Sequence, residues 1–219
     1  MQHFFDPWNF GTQIVYTIII FIICFLIYFK TKEAYSLTKH RGIKYFRDAF
    51  LFFGLAYLVR FLMEIVFFST RGSHLFIPRF YLFPIILMLI GYLSTIAILN
   101  LVFSISWKKI NNHYLLLVGH IIAVVLAVVT FLTRSHDILA YLQLALLIVA
   151  LVINFVSKKK KKKFCKNNVL YTLILIFWVV NLWIILPRKF LSLELKLVFE
   201  IVSLVVFIII YFKVLKWLK

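Results

Sequence analysis

Seven apolar stretches alternate with short polar, basic segments along the chain. Each is long enough, or nearly so, to cross a hydrocarbon core of about 30 Å as an α-helix. The pattern predicts spans over about 14–29, 46–68, 80–106, 114–132, 138–156, 169–186 and 191–211. Turn formers sit in the gaps: Gly72 and Pro78 after the second run, the TRSHD turn after the fourth, Pro187 after the sixth. Pro84 falls early in the third run, where proline does least harm to a helix. Ser192 is a candidate N-cap for the seventh. No gap leaves room for a soluble domain, so residues 1–219 are expected to form one all-α integral membrane domain, a seven-transmembrane-helix bundle.

Composition sharpens that picture. The chain is 64% hydrophobic, 19% aromatic and only 15% charged, which suits a membrane protein and no soluble globular domain of this size. The formal net charge of +18 does not imply nucleic acid, because the basic residues lie in the gaps between apolar runs. Counted over alternate gaps, eighteen of them fall on one side and six on the other, with Arg60 left inside the second run. That imbalance predicts a cytoplasmic carboxyl end and an outside amino end, most simply in a plasma membrane. The amino end has no basic leader, so the first run is expected to be a retained helix. Lys158, Lys159, Lys160, Lys161, Lys162 and Lys163 form a continuous run, expected to anchor on anionic lipid head groups at about 1 kcal/mol per residue. A membrane or cytoplasmic protein partner is a second use for such a loop. Cys24 and Cys165 lie at different membrane levels, so no disulfide is expected.

The informative residues are the charged and polar ones inside the runs, where charges are costly and normally face other helices or a polar cavity. Arg60 and Glu64 stand one turn apart in the second span; Lys196 and Glu200 do the same in the seventh. At about 1.5 Å per residue, Arg60 and Glu200 both lie roughly 13 Å from the outer edge, and Glu64 and Lys196 roughly 7 Å. The matched depths predict that the second and seventh helices pack together, with Arg60 against Glu200 and Glu64 against Lys196. Pairing within each helix at i, i+4 is the local alternative. Tyr57 shares the Arg60 face, and Ser203 the Glu200 face. Asn181 and Trp178 on the sixth span, Gln143 and Tyr141 on the fifth, and Tyr92 and Thr95 on the third have comparable depth. Together they are candidates to line a pocket open to the outside. A network that only fixes helix register is the competing reading. Gly119, Ala123 and Ala127 place a small residue at every fourth position of the fourth span, a helix-packing signal. His120 and Asn100 are expected to be hydrogen-bonded packing residues.

Several chemistries lack their residues. The aspartates are Asp6, Asp48 and Asp137, too few and too scattered for a metal-binding aspartate motif. No two histidines stand at ligand spacing within a span, and no nucleophile elbow or phosphate loop is present. No metal and no catalytic residue is expected, and an enzyme is the weakest class.

Seven helices with an outside amino end resemble the rhodopsin and G-protein-coupled receptor layout, over the whole chain and in layout only. The likeness to microbial rhodopsins implies a retinal-bearing lysine near the middle of the last helix. Glu200 and Ser203 occupy that level, and Lys196, the one candidate, lies about a turn too far out, so no cofactor is expected. The receptor motifs are replaced: the last helix ends YFKVLK, the third ends SISWKK, and no proline follows Trp178. The layout is also similar to the seven-helix sensor modules that precede bacterial signalling domains. The expected function is therefore a receptor-like module that binds a small ligand in an outward polar pocket and signals through a partner. A small or proton-coupled carrier is the alternative, and a membrane scaffold with a structural charge network the second.

Overall fold

The computed structural model describes residues 7–72, 79–107, 113–159, 166–185 and 193–218. They form seven helices: α1 (Pro7–Thr38), α2 (Arg41–Gly72), α3 (Arg79–Ser106), α4 (His113–Thr133), α5 (His136–Lys159), α6 (Lys166–Ile185) and α7 (Leu193–Leu218). The expected turn at Pro78, the stop at Pro187, the N-cap at Ser192 and Lys160–Lys163 lie outside the described residues. Lys158 and Lys159 continue α5. Six helices are long and apolar enough to cross a membrane; α6 contributes a shorter apolar stretch, Val169–Leu182. Only 22–39% of each such span is buried within the chain, so its apolar residues mostly face outward. An apolar surface of that extent requires lipid, and the protein is a multi-pass helical membrane protein.

Two helices run well past the spans read from hydropathy. α1 and α2 are 32 residues each, about 48 Å long, against a core of about 30 Å. The polar segment after Phe29 was expected to be loop and is helix instead. Its side chains suit that state: Lys30 pairs with Glu33 at 3.2 Å, and Thr31 and Thr38 bond back to carbonyls four residues earlier. The break needs only Lys39 and His40. Lys39 takes a left-handed conformation (φ 51°) and donates its N–H to Tyr35 O at 2.8 Å, ending α1. His40 then caps α2, its Nδ1 accepting the Gly42 N–H at 3.1 Å. Arg134 closes α4 in the same left-handed way.

Neighbour relations define the bundle. α1 packs on α2, α2 on α3, α3 on α5, α5 on α6, α6 on α7, and α7 returns to α1. These six form a closed ring, and α4 lies outside it against α3 and α5. Accordingly α4 buries only a narrow stripe that includes Ala123, Ala127 and Thr130, and leaves Leu117, Ile121, Val124, Val125 and Val128 exposed. Gly119 belongs to that stripe: a Cβ there would lie 2.9 Å from Phe103 Cζ. The Gly119, Ala123 and Ala127 face is thus taken up by α3 inside the chain.

α1 and α2 also approach closely. A Cβ on Gly54 would stand 3.0 Å from the Cβ of buried Cys24, an atom fixed to the backbone of α1. Gly54→Val should therefore separate the two helices and lower stability by about 1–3 kcal/mol. Alanine should cost less, because its better helix propensity offsets roughly 1 kcal/mol. Thermal unfolding in detergent checks the order, and a valine variant as stable as the parent would contradict this contact.

The ring interior is aromatic. Phe177 and Phe207 stack at 4.4 Å between centroids, and Phe53 meets Phe177 at 5.7 Å and Trp178 at 5.2 Å. Phe50 stacks on Phe207 at 6.2 Å, and Phe46 meets Trp217 at 5.5 Å. α2 and α7 therefore face each other across the interior through large rings, while α1 sits beside both. A gap of about 10 Å³ among Ala49, Phe50, Phe53, Leu101, Ile174, Phe177, Trp178 and Phe207 has room for a single water-sized sphere, and its lining is hydrophobic.

Candidate functional site: a polar layer above an aromatic plug

We call the upper end of the bundle the one where α2 ends and α7 begins. One turn above the aromatic plug, four helices meet in a hydrogen-bonded knot. Asn181 on α6 is its centre and is 4% exposed. Its Oδ1 accepts from Tyr16 of α1 at 2.5 Å and from Tyr57 of α2. Its Nδ2 donates to Ser203 Oγ of α7 at 3.1 Å and to Phe177 O at 2.9 Å. Ser203 and Tyr16 share a further bond at 2.9 Å. Because the Tyr16 hydrogen goes to Asn181 and Ser203 accepts from Asn181, Ser203 donates to the Tyr16 oxygen. Tyr16, Asn181 and Ser203 thus form a closed circuit. An amide has two acceptor and two donor positions, and Asn181 uses all four. That also fixes its orientation, since a flip would turn the amide oxygen on the Phe177 carbonyl.

Spacing explains how the sequence builds the knot. Phe53 and Tyr57 are one turn apart on α2, as are Phe177 and Asn181 on α6, and Ser203 and Phe207 on α7. Each helix contributes one polar group above one ring, on the same face. Tyr16 comes from the helix that lies between α2 and α7 in the ring.

The charged residues stand on the next turns up. Arg60 follows Tyr57 by one turn, and Glu200 precedes Ser203 by one turn. The ion pairs form within helices: Arg60 Nε to Glu64 Oε1 at 3.4 Å, and Lys196 Nζ to Glu200 Oε1 at 3.8 Å. The expected direct pairs, Arg60 with Glu200 and Glu64 with Lys196, give way to these local ones. The reason is architectural: the backbone of α1 lies close to both helices, whereas α2 and α7 meet across the interior through large rings. All four groups nonetheless stand at one end of the bundle, where α2 ends and α7 begins. Their side chains are 16%, 11%, 20% and 6% exposed for Arg60, Glu64, Lys196 and Glu200, so the layer is shielded but not sealed. Glu64 Oε2 is buried without a hydrogen-bond partner among the described residues.

Other candidates lie elsewhere. Trp178 belongs to the aromatic plug, packed on Phe53. Gln143 is buried on α5 and donates to Ser94 of α3, a separate polar contact. Tyr141 is exposed. Tyr92 bonds His120 Nδ1 at 2.9 Å on the exposed α3–α4 surface. Sequence reasoning missed Tyr16. A lone tyrosine in an apolar run carries no periodic signal, and only its depth near the start of α1 hinted at the layer. Below the plug a second buried polar group appears: Ser104 donates to Gly42 O at 2.7 Å and lies 2.7 Å from the Tyr171 hydroxyl. Among the described residues no cluster of histidine, cysteine and carboxylate groups could hold a metal ion.

No protein-family model and no solved structure matches the chain. It is 31% identical over 220 residues to an uncharacterized protein of Archaeoglobus fulgidus, a match covering 94% of this chain and 92% of that one. At that identity and coverage, the chain belongs to the same family as this archaeal protein.

Proposed function

We propose that the protein is a receptor-like membrane module that binds a small polar ligand at the Arg60, Glu64, Lys196 and Glu200 layer. The observation that carries this reading is the aromatic plug directly beneath the knot, where Phe53, Phe177, Trp178 and Phe207 close the interior. A polar layer that ends on stacked rings suits a dead-end pocket better than a passage. In this reading the upper end faces outside, since the basic residues of the α1–α2 junction and the α7 tail collect at the other end, as in cytoplasmic segments. Those segments then offer the surface for a partner.

A second reading, a small carrier, has its own support: buried polar groups stand on both sides of the plug, the Asn181 knot above and Tyr171 with Ser104 below. A rearrangement of the rings would connect them. The two readings separate in one pair of measurements on the full chain. A panel of amino acids, carboxylates, amines, sugars and nucleosides is screened for thermal stabilisation in detergent, and responders are tested for flux into proteoliposomes. A receptor gives stabilisation that grows with ligand concentration and no flux. Flux selects the carrier, and silence across the whole panel rejects both in favour of a structural network.

A further inference from the structure

We propose that this layer takes a compact zwitterion, a molecule in which an oxyanion and an ammonium group are joined by a short carbon link. The inference rests on the reading of the layer as a ligand site and names the ligand class.

Three observations converge on it. The first is spare donor capacity. A guanidinium carries five N–H donors, yet the ion-pair contact of Arg60 runs through Nε, to Glu64 Oε1 at 3.4 Å. Its outer fork, the part that grips an oxyanion by two parallel bonds, is not part of that contact. The second is spare acceptor capacity. Glu64 Oε2 is buried without a hydrogen-bond partner among the described residues, and a buried carboxylate oxygen left unsatisfied is costly. An ammonium hydrogen supplies what it lacks. The third is charge balance. Arg60 and Lys196 against Glu64 and Glu200 make a layer that is neutral when all four are ionised. A zwitterion leaves it neutral, whereas a lone anion or cation would add an uncompensated charge in a shielded place.

Geometry limits the size. The donor fork and the free carboxylate oxygen belong to residues one turn apart on α2, which suits groups separated by few bonds. The rings of Phe53, Phe177 and Phe207 close the space beneath. The hydroxyls of Tyr16 and Ser203 and the Asn181 amide are engaged with one another, so a polyhydroxylated solute finds few partners in the knot. Free α-amino acids and the phosphoethanolamine head group of a lipid both carry the required pair of charges.

The test uses the full chain in detergent and reads its melting temperature. Glycine, L-alanine and β-alanine represent free solutes, and glycerophosphoethanolamine the head group. Acetate and methylammonium, each alone at the same ionic strength, are the controls. The expected result is a concentration-dependent rise with at least one zwitterion and none with either single ion. Which zwitterion acts identifies the source. Glu64→Gln, checked for a monodisperse elution profile, should shift the response to at least tenfold higher concentration. The comparison among probes on the unmodified protein stands without that variant. A rise with acetate or methylammonium as large as with the zwitterions overturns the class while leaving a ligand site. No rise with any zwitterion also overturns it, and the wider panel above then decides whether the layer binds a ligand at all.

Discussion

Asn181→Ala is expected to lower the stability of the detergent-solubilised protein by about 2–4 kcal/mol. The estimate combines three interhelical hydrogen bonds, each worth roughly 0.6–1.7 kcal/mol within a membrane bundle, with the small void left by the amide. Asn181 is bonded to three other helices, through Tyr16, Tyr57 and Ser203. Its loss removes the acceptor that both tyrosine hydroxyls share above a hydrophobic plug, where a polar group short of a partner is costly. Asn181→Leu fills the void but does not restore the shared acceptor, so it should recover only the packing share. Denaturant or thermal unfolding of the two variants checks this. An alanine variant within 0.5 kcal/mol of the parent, on the order of a neutral surface change, would contradict the knot.

Arg60→Ala is expected to be of similar severity, about 2–4 kcal/mol. Removing one member of a shielded pair leaves the other uncompensated, and in fully buried pairs this costs about 3–5 kcal/mol. The side chains of Arg60 and Glu64 are 16% and 11% exposed, so some water or head-group relief is retained. The same physics predicts an asymmetry. Replacing both residues by leucine should restore much of the loss, since a buried ion pair exchanged for apolar side chains is often neutral. Single variants as stable as the double would mean that Arg60 and Glu64 do not share a shielded environment.

Much of this architecture is legible in the chain because membrane physics is coarse. A run of apolar residues broken by lysines admits few structures other than a spanning helix, and each of the seven helices overlaps one of the apolar runs. The ends were less legible. Lys30–Thr38 reads as a basic loop by composition, yet nothing in it stops a helix until Lys39 adopts a left-handed turn. Depth counting brought Arg60, Glu64, Lys196 and Glu200 to the same end of the bundle, because rise per residue is nearly constant. It could not supply the partners. Pairing depends on which helices are neighbours, and the insertion of α1 beside both α2 and α7 leaves the i, i+4 contacts as the close ones. Trp178 and Asn181 differ by one turn, enough to put the first in the plug and the second in the knot. Tyr16 became visible only when the ring closed, since its partners lie more than 160 residues away in sequence.

Polar side chains join α1, α6 and α7 inside the bundle, and a double-mutant cycle on Tyr16 and Ser203 measures that junction directly. Tyr16→Phe and Ser203→Ala each delete a hydroxyl and little else, at groups 2.9 Å apart. Each single change is expected to cost about 1 kcal/mol, and the pair less than the sum by at least about 0.5 kcal/mol. Strict additivity of the two losses would mean that these hydroxyls do not meet, and the polar layer built upon them would be wrong.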